Sequence, residues 1–144
     1  MEKGINAHIG KYFGTGEVDI RTYSPLALAY IGDGVFDLVI RTVVVGRGNT
    51  NANALHRRTS HIVKAHTQAN MIEELLPELT EEEKAVYRRG RNANSPTMAK
   101  NATMSDYRKA TGFEALVGYL YLMDEFDRIL FLIKKALAAL NERI

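Results

Sequence analysis

The stretch SPLALAYIGDGVFDLVIRTVVVGRG, residues 24–48, decides the fold. Ser24 and Pro25 form a helix start signal, with serine as the N-cap and proline at the first helical position. The residues that follow are nearly all apolar as far as about Val45, and Gly46 and Gly48 then end the run. This stretch therefore predicts one long helix with few polar positions.

Helix signals continue through the middle of the chain. After an Asn-rich turn, apolar residues recur at helical spacing from Leu55 to Ile72. Thr80 and Glu83 have the spacing of a capping box, in which each side chain binds a backbone N–H at the start of a helix. We expect the helix that begins there to end at about Arg91.

The last third of the chain is predicted to be helical after one exposed loop. Turn residues from Asn92 to about Thr103 indicate the loop. Ser105 is expected to cap a helix that continues to about Met123, and a final helix is expected over residues 126–141. The one strand-like run, residues 43–45, is short, so the predicted fold class is all-α.

Composition limits both the organisation and the chemistry. The 144 residues suffice for one domain, which we place at residues 23–144 after a weakly patterned segment, residues 1–22. No cysteine is present, so disulfides, thiolate metal sites and cysteine nucleophiles are excluded. The sequence shows no signal peptide and no uncharged membrane span, which predicts a cytoplasmic protein without a membrane partner.

The charges are sorted along the chain although the net charge is only +2. Residues 38–72 and residues 84–105 each contain no Asp or Glu and several Lys or Arg, and six glutamates lie between these blocks. Cationic stretches free of carboxylates suit a polyanion such as a nucleic acid. The alternative is that both blocks are solvated helix faces.

Two carboxylates occupy apolar segments, where they are costly. Asp33 lies between Gly32 and Gly34 in the long helix, and we expect it to be buried. Glu114 is a similar single acid, with one glycine two residues before it and another four residues after it. Glycine costs about 1 kcal/mol in a helix relative to alanine, and a close approach of another backbone would explain that cost. Asp37, one turn after Asp33, is interpreted as a salt-bridge acid rather than a site residue.

Two such helices crossing closely would bring both carboxylates to one hard cation. Mg²⁺ binds one or two protein carboxylates together with waters and phosphate oxygens, which is compatible with Asp33 and Glu114. The alternative is that each acid pairs with an arginine or a backbone donor. The three histidines His56, His61 and His66 are spaced by five residues and do not share one helix face, so a zinc site is not favoured.

The segments YIGDGVF, residues 30–36, and TGFEALVGYLYL, residues 111–122, together resemble the catalytic domain of ribonuclease III. The resemblance covers residues 23–140 and is closest to the mini-ribonuclease III branch, which lacks the appended double-stranded-RNA-binding domain. The segment RRGRNA, residues 88–93, and the pair Lys100-Asn101 also resemble that branch.

The resemblance implies an all-α endonuclease domain that forms a symmetric homodimer and hydrolyses double-stranded RNA. Asp33 and Glu114 would be the catalytic residues and the ligands of Mg²⁺, with Mn²⁺ able to replace it. The implied natural substrate is the paired stem of precursor 23S ribosomal RNA, with a ribosomal protein as helper. The expected RNA-binding residues are Arg57, Lys64, Arg88, Arg89, Arg91, Asn92, Lys100 and Asn101.

The sequence departs from full-length ribonuclease III at three further acids, because Leu26, Ala29 and Thr111 stand where that enzyme has carboxylates. We interpret this as reduced metal ligation rather than loss of activity. Two other classes of function stay open on the residues alone. The first is a non-catalytic RNA- or ribosome-binding module on the same fold, and the second is a helical protein-interaction module with structural acids.

A homodimer also has a geometric rationale, because the two strands of a duplex are related by local two-fold axes. The sequence offers more apolar helix surface than a small monomer needs. The residues expected to contribute this surface are Tyr30, Ile31, Phe36, Phe113 and Tyr121.

Overall fold

The structure, a computed structural model, describes residues 4–15, 18–94 and 103–144, and these residues form helices and no strand. The all-α prediction is therefore confirmed. Seven α-helices follow one another in this part of the chain, with 3₁₀ turns at Ile20–Thr22 and Leu76–Glu78. Their bounds are α1 Ile5–Phe13, α2 Pro25–Arg47, α3 Ala52–Val63, α4 Ala65–Leu75, α5 Glu81–Asn92, α6 Met104–Leu122 and α7 Phe126–Ala139.

Helix α2 begins as its sequence predicts. The side chain of Ser24 accepts a hydrogen bond from the Ala27 N–H at 3.1 Å, and Pro25 is the first helical residue. The strand-like run at residues 43–45 is helical, and Val44 is buried in the core. Packing of the long apolar helix thus overrides the β propensity of three consecutive valines.

Helices α2 and α6 form the centre of the molecule. Helix α6 packs against α2 along much of its length and also contacts α4, α5 and α7. Phe36 of α2 and Phe113 of α6 meet edge to face with ring centroids 5.3 Å apart, and both rings are buried. The centre of the core is therefore the α2–α6 contact.

Helix α7 is fastened to the start of α5 by a buried ion pair. The capping box is present as predicted, with hydrogen bonds in both directions between Thr80 and Glu83. Glu83 is 5% exposed, and its carboxylate also accepts two hydrogen bonds from Arg128 at 2.8 and 2.9 Å. The Arg128 guanidinium holds the pKa of Glu83 below its usual value.

The helix boundaries differ from prediction at three places. The apolar repeat from Leu55 to Ile72 belongs to two helices, because the backbone at Lys64 is extended between α3 and α4. Thr103, rather than Ser105, caps α6, since its side chain accepts the Asp106 N–H at 3.0 Å. Helix α7 ends at Ala139.

The N-terminal segment contains a helix that the sequence reading missed. Helix α1 is followed by its C-cap Gly14, whose φ of 67° is left-handed, and the helix has no buried residue. Its signal was the spacing of Ile5, Ile9, Tyr12 and Phe13, which places four apolar side chains on one face. Within the described residues, no helix has the length and apolar character needed to span a membrane.

Candidate active site

Glycines set the distance between α2 and α6. A Cβ atom built on Gly32 would lie 1.7 Å from the backbone oxygen of Glu114, and one on Gly118 would lie 2.0 Å from the backbone oxygen of Leu28. Both obstacles are backbone atoms, so only glycine permits this approach. The predicted close crossing is confirmed. Gly34 has no part in it, because a Cβ there would meet no atom within 4 Å.

A second glycine contact joins α5 to α6 beside the same turn. A Cβ on Gly90 would lie 2.7 Å from the Cβ of Ala115, and a Cβ on Gly112 would lie 2.7 Å from the ring of Tyr87. Ala115 directly follows Glu114 in the chain. The basic C-terminal end of α5 is therefore held next to the turn of α6 that carries Glu114.

The two predicted carboxylates meet at the α2–α6 crossing. Glu114 is half-buried, and its carboxyl group is in hydrogen-bonding contact with that of Asp33. Burial, followed by this contact with Asp33, raises the pKa of Glu114 to about 8. Two carboxylates that share a site cannot both ionise readily unless a positive charge lies close to them.

Asp33 itself is exposed, so the expectation that it is buried was wrong. It lies on a face of α2 that no other element of the described chain covers, where Tyr30 is 84% exposed. An apolar sequence on every side of a helix does not show which side is covered. The exposure of Asp33 leaves the carboxylate pair open to a large ligand.

Gln68 of α4 is a third side chain at the pair, and the sequence reading missed it. Its Nε2 donates to Glu114 Oε2 at 3.4 Å and to the backbone oxygen of Val63 at 2.7 Å. A signal was present, because Gln68, Ile72 and Leu75 have the spacing of one helix face, and all three are buried. A glutamine on the apolar face of an amphipathic helix indicates a specific polar contact in the core.

The residues at the site fit a hard cation with few protein ligands. Within residues 4–15, 18–94 and 103–144, no group of three or more His, Cys, Asp or Glu is placed to hold a metal ion. Two carboxylates suffice for Mg²⁺, which retains several waters, whereas a structural zinc site needs four protein ligands.

The other titratable candidates have local partners. Asp37 forms the expected salt bridge, with Arg41 Nε 2.6 Å from its Oδ2. His61 and His66 pair separately, with Glu142 and Asp106, at 2.9 Å each. Thr111, at a position where the resemblance would place an acid, is not titratable, and its hydroxyl donates to the backbone oxygen of Tyr107 at 3.0 Å.

The predicted RNA-binding residues that the structure describes form two groups. Arg88, Arg89 and Asn92 line an open groove of about 600 Å³ at the end of α5. Arg91 lies over the ring of Tyr87, with its guanidinium carbon 5.6 Å from the centroid. The second group comprises the exposed residues Arg57, in α3, and Lys64, whose backbone oxygen accepts the Gln68 N–H one turn into α4.

These cations are available for a ligand. Within the part of the chain that the structure describes, neither Arg57, Lys64, Arg88 nor Arg89 forms a salt bridge. Lys100 and Asn101 lie outside the described residues.

Comparison with known proteins agrees with the fold and with the two motifs. The family model of the ribonuclease III domain matches residues 26–125. Similar proteins include the mini-ribonuclease 3 of Clostridium tetani, which is 48% identical over 77% of this chain and 74% of its own length. The mini-ribonuclease 3 of Enterococcus faecalis is 47% identical over 77% of this chain and 86% of its own length.

A solved structure supports the same architecture. The crystal structure of a Fusobacterium nucleatum protein superposes with a TM-score of 0.76 at 32% sequence identity. The match covers 82% of this chain and 96% of that one.

Proposed function

Because the chain belongs to the ribonuclease III family and is an endoribonuclease similar to the mini-ribonucleases III, we propose that it hydrolyses double-stranded RNA at a Mg²⁺ site formed by Asp33 and Glu114. Mn²⁺ is expected to replace Mg²⁺, because both cations suit carboxylate and water ligands.

The observation that carries this proposal is the contact between the two carboxyl groups at the glycine-lined crossing. The raised pKa of Glu114 reflects burial beside another acid without a compensating cation. A divalent cation would supply the missing charge. When bound, it would also activate a water molecule and neutralise charge on the scissile phosphate and the leaving oxygen.

The protein's own residues would position the substrate and the water. Glu114 is fixed by the α2–α6 contact on one side and by the Gln68 amide on the other. Asp33 faces solvent and can therefore be reached by a phosphate of a long duplex. No side-chain nucleophile is required, since the attacking group is water.

The cations at the end of α5 would hold the RNA backbone. Duplex RNA is recognised mainly through phosphates and 2′-hydroxyls, because its bases lie in a narrow major groove. Arg88 and Arg89 have exposed guanidinium groups that can fork onto phosphate oxygens, and Asn92 can bind a sugar or a base edge. We propose that Arg91, Lys100 and Asn101 also bind the RNA, and that Arg57 and Lys64 contact it on the flank formed by α3.

We further propose a symmetric homodimer in which the side of α2 that bears Leu38 and Val45 pairs with the same side of a second copy. Both side chains are more than half-exposed and lie roughly 120° or more around the helix from Asp33, so this pairing leaves the carboxylate pair open to RNA. Of the five residues that the sequence suggested, Phe36 and Phe113 are core residues, and Ile31 and Tyr121 are half-buried. Only Tyr30 is exposed, so the expected surface was largely wrong in its membership.

The proposed natural substrate is the paired stem of precursor 23S ribosomal RNA in the cytoplasm, with a ribosomal protein presenting it. The resemblance to the mini-ribonucleases III supports this part of the proposal.

The decisive experiment incubates the purified chain with long duplex RNA, with and without Mg²⁺, and resolves the products on a denaturing gel. We expect Mg²⁺-dependent shortening by the wild type, and none by Asp33→Asn or Glu114→Gln, although both variants still bind RNA. Binding without shortening by the wild type would indicate a scaffold. Full activity of either variant would remove these residues from the active site.

A further inference from the structure

Gln68 is a buried amide whose hydrogen bonding is incomplete. The residue is 2% exposed, and its Oε1 is buried without a hydrogen-bond partner among the described residues. A buried carbonyl oxygen without a donor costs free energy, whereas an apolar side chain of the same shape would avoid that cost. The unpaired oxygen is therefore a cost of a glutamine at this position, which the contacts of its NH₂ group must offset.

The orientation of the amide follows from its neighbours. Both Val63 O and Glu114 Oε2 are acceptors, so the NH₂ group rather than the carbonyl oxygen must face them. Val63 is the last residue of α3, and Gln68 lies in the first turns of α4. The hydrogen bond of 2.7 Å to Val63 thus anchors the amide to rigid backbone at the junction of these helices.

The anchored amide then acts on Glu114. Its Nε2 lies 3.4 Å from Glu114 Oε2 and donates to it. An N–H that donates to a carboxylate stabilises the charged form, which is the form that binds a cation. Residues that hydrogen-bond metal ligands fix the orientation of those ligands.

We infer that Gln68 is a positioning residue, which holds the Glu114 carboxylate for a divalent cation. The inference rests on the proposed function, because it requires that Asp33 and Glu114 bind such a cation. It predicts that removing the amide weakens cation binding, whereas removing a comparable hydrogen bond at the same junction does not.

The first test uses the wild-type protein. Gln68 is the only glutamine in the chain, so selective ¹⁵N labelling of glutamine side chains gives a single pair of amide signals. We expect these signals to shift during a MgCl₂ titration, with the same midpoint as Mg²⁺ binding measured by calorimetry. Amide signals that stay unchanged while Mg²⁺ binds would overturn the inference.

The second test replaces the amide by an apolar group of similar length. Gln68→Met is expected to weaken Mg²⁺ binding about 10-fold, and to lower the melting temperature as the control below does, because the Val63 carbonyl loses its side-chain donor. Thr67→Val is the matched control, because buried Thr67 donates to the backbone oxygen of His61 at 2.8 Å at the same junction. It should lower the melting temperature and leave Mg²⁺ affinity unchanged.

Loss of stability without loss of Mg²⁺ affinity identifies a purely structural role. If Gln68→Met melts at a lower temperature and binds Mg²⁺ as tightly as the wild type, Gln68 does not position Glu114. A wild type that binds Mg²⁺ without cutting duplex RNA contradicts the proposed function, and the Mg²⁺ affinities still decide the role of Gln68. A wild type that binds no Mg²⁺ overturns both.

Discussion

Replacing Gly32 by alanine tests the α2–α6 crossing most directly. The new Cβ would lie 1.7 Å from the backbone oxygen of Glu114, whereas real Cβ atoms essentially never approach non-bonded heavy atoms within 3.0 Å. The two helices would therefore have to separate by about 1.3 Å at this point. No side chain can move aside to relieve the contact, because the obstacle belongs to the backbone.

We expect Gly32→Ala to destabilise the protein by about 3 kcal/mol, at the upper end of the usual cost of overpacking. For a chain of this length, that corresponds to a fall in melting temperature of about 10 °C. Cleavage of duplex RNA should fall further than the folded fraction does, because the same separation pulls Asp33 from Glu114.

Gly46→Ala provides the control in the same helix, because a Cβ there meets no atom within 4 Å. Alanine should stabilise the last turn of α2 by up to about 1 kcal/mol. Thermal unfolding followed by circular dichroism, with a cleavage assay at a temperature where all variants are folded, measures both effects. A Gly32→Ala protein that melts with the wild type would refute the close backbone contact.

Three further predictions concern pH, RNA binding and assembly. Since the pKa of Glu114 rises from 4.5 to about 8 on folding, its contribution to stability is complete below pH 4.5 and is lost as the pH rises through 8. Because Glu114 is half-buried, we expect the free energy of unfolding of the wild type without Mg²⁺ to fall by about 1 to 2 kcal/mol relative to that of Glu114→Gln between pH 5 and pH 9. Adding Mg²⁺ should restore it. A difference in melting temperature between the two proteins that does not depend on pH would contradict this expectation. Replacing Arg88 and Arg89 by alanine should reduce the slope of log affinity for duplex RNA against log salt concentration by about two, with little change in melting temperature. The control replaces two exposed cations on the α7 side, Lys134→Ala with Arg143→Ala, and should change the slope less. Equal slopes for both double variants would show that the end of α5 is not part of the RNA-binding surface. Light scattering should give the wild type a mass of about twice the chain mass of 16.1 kDa. Leu38→Glu, on the proposed interface, should give one chain mass, whereas the control Leu130→Glu on α7 should stay dimeric. A monomeric wild type would exclude the dimer.

Local signals in the sequence predicted the helices well where one residue type has one structural role. Ser24 with Pro25 and Thr80 with Glu83 are caps that depend on backbone N–H groups within a single turn. Gly32 was recognised because glycine inside a long helix is costly without a close neighbour. Each of these inferences needs only the chain within a few residues.

Features that depend on distant parts of the chain could not be predicted in the same way. The exposure of Asp33 depends on which face of α2 the other helices cover, and an apolar sequence on all sides carries no such information. Gln68 and Glu114 are 46 residues apart, and their contact depends on the break at Lys64, where neither glycine nor proline marks the end of α3. Thr103 and Ser105 are both competent caps, so the choice between them depends on packing at the start of α6.

The contact of Gly90 with α6 has a consequence for where an RNA strand would be cut. Helix α5 carries Arg88 and Arg89, and helix α6 carries Glu114. The two helices are in direct contact at Gly90 and Ala115. A phosphate bound at the end of α5 would therefore lie at a fixed distance along the duplex from the phosphate that Asp33 and Glu114 would cleave. The packing of α5 on α6 would thus set the distance between the cleaved bond and the bound phosphate. That distance would change only if α5 shifted relative to α6.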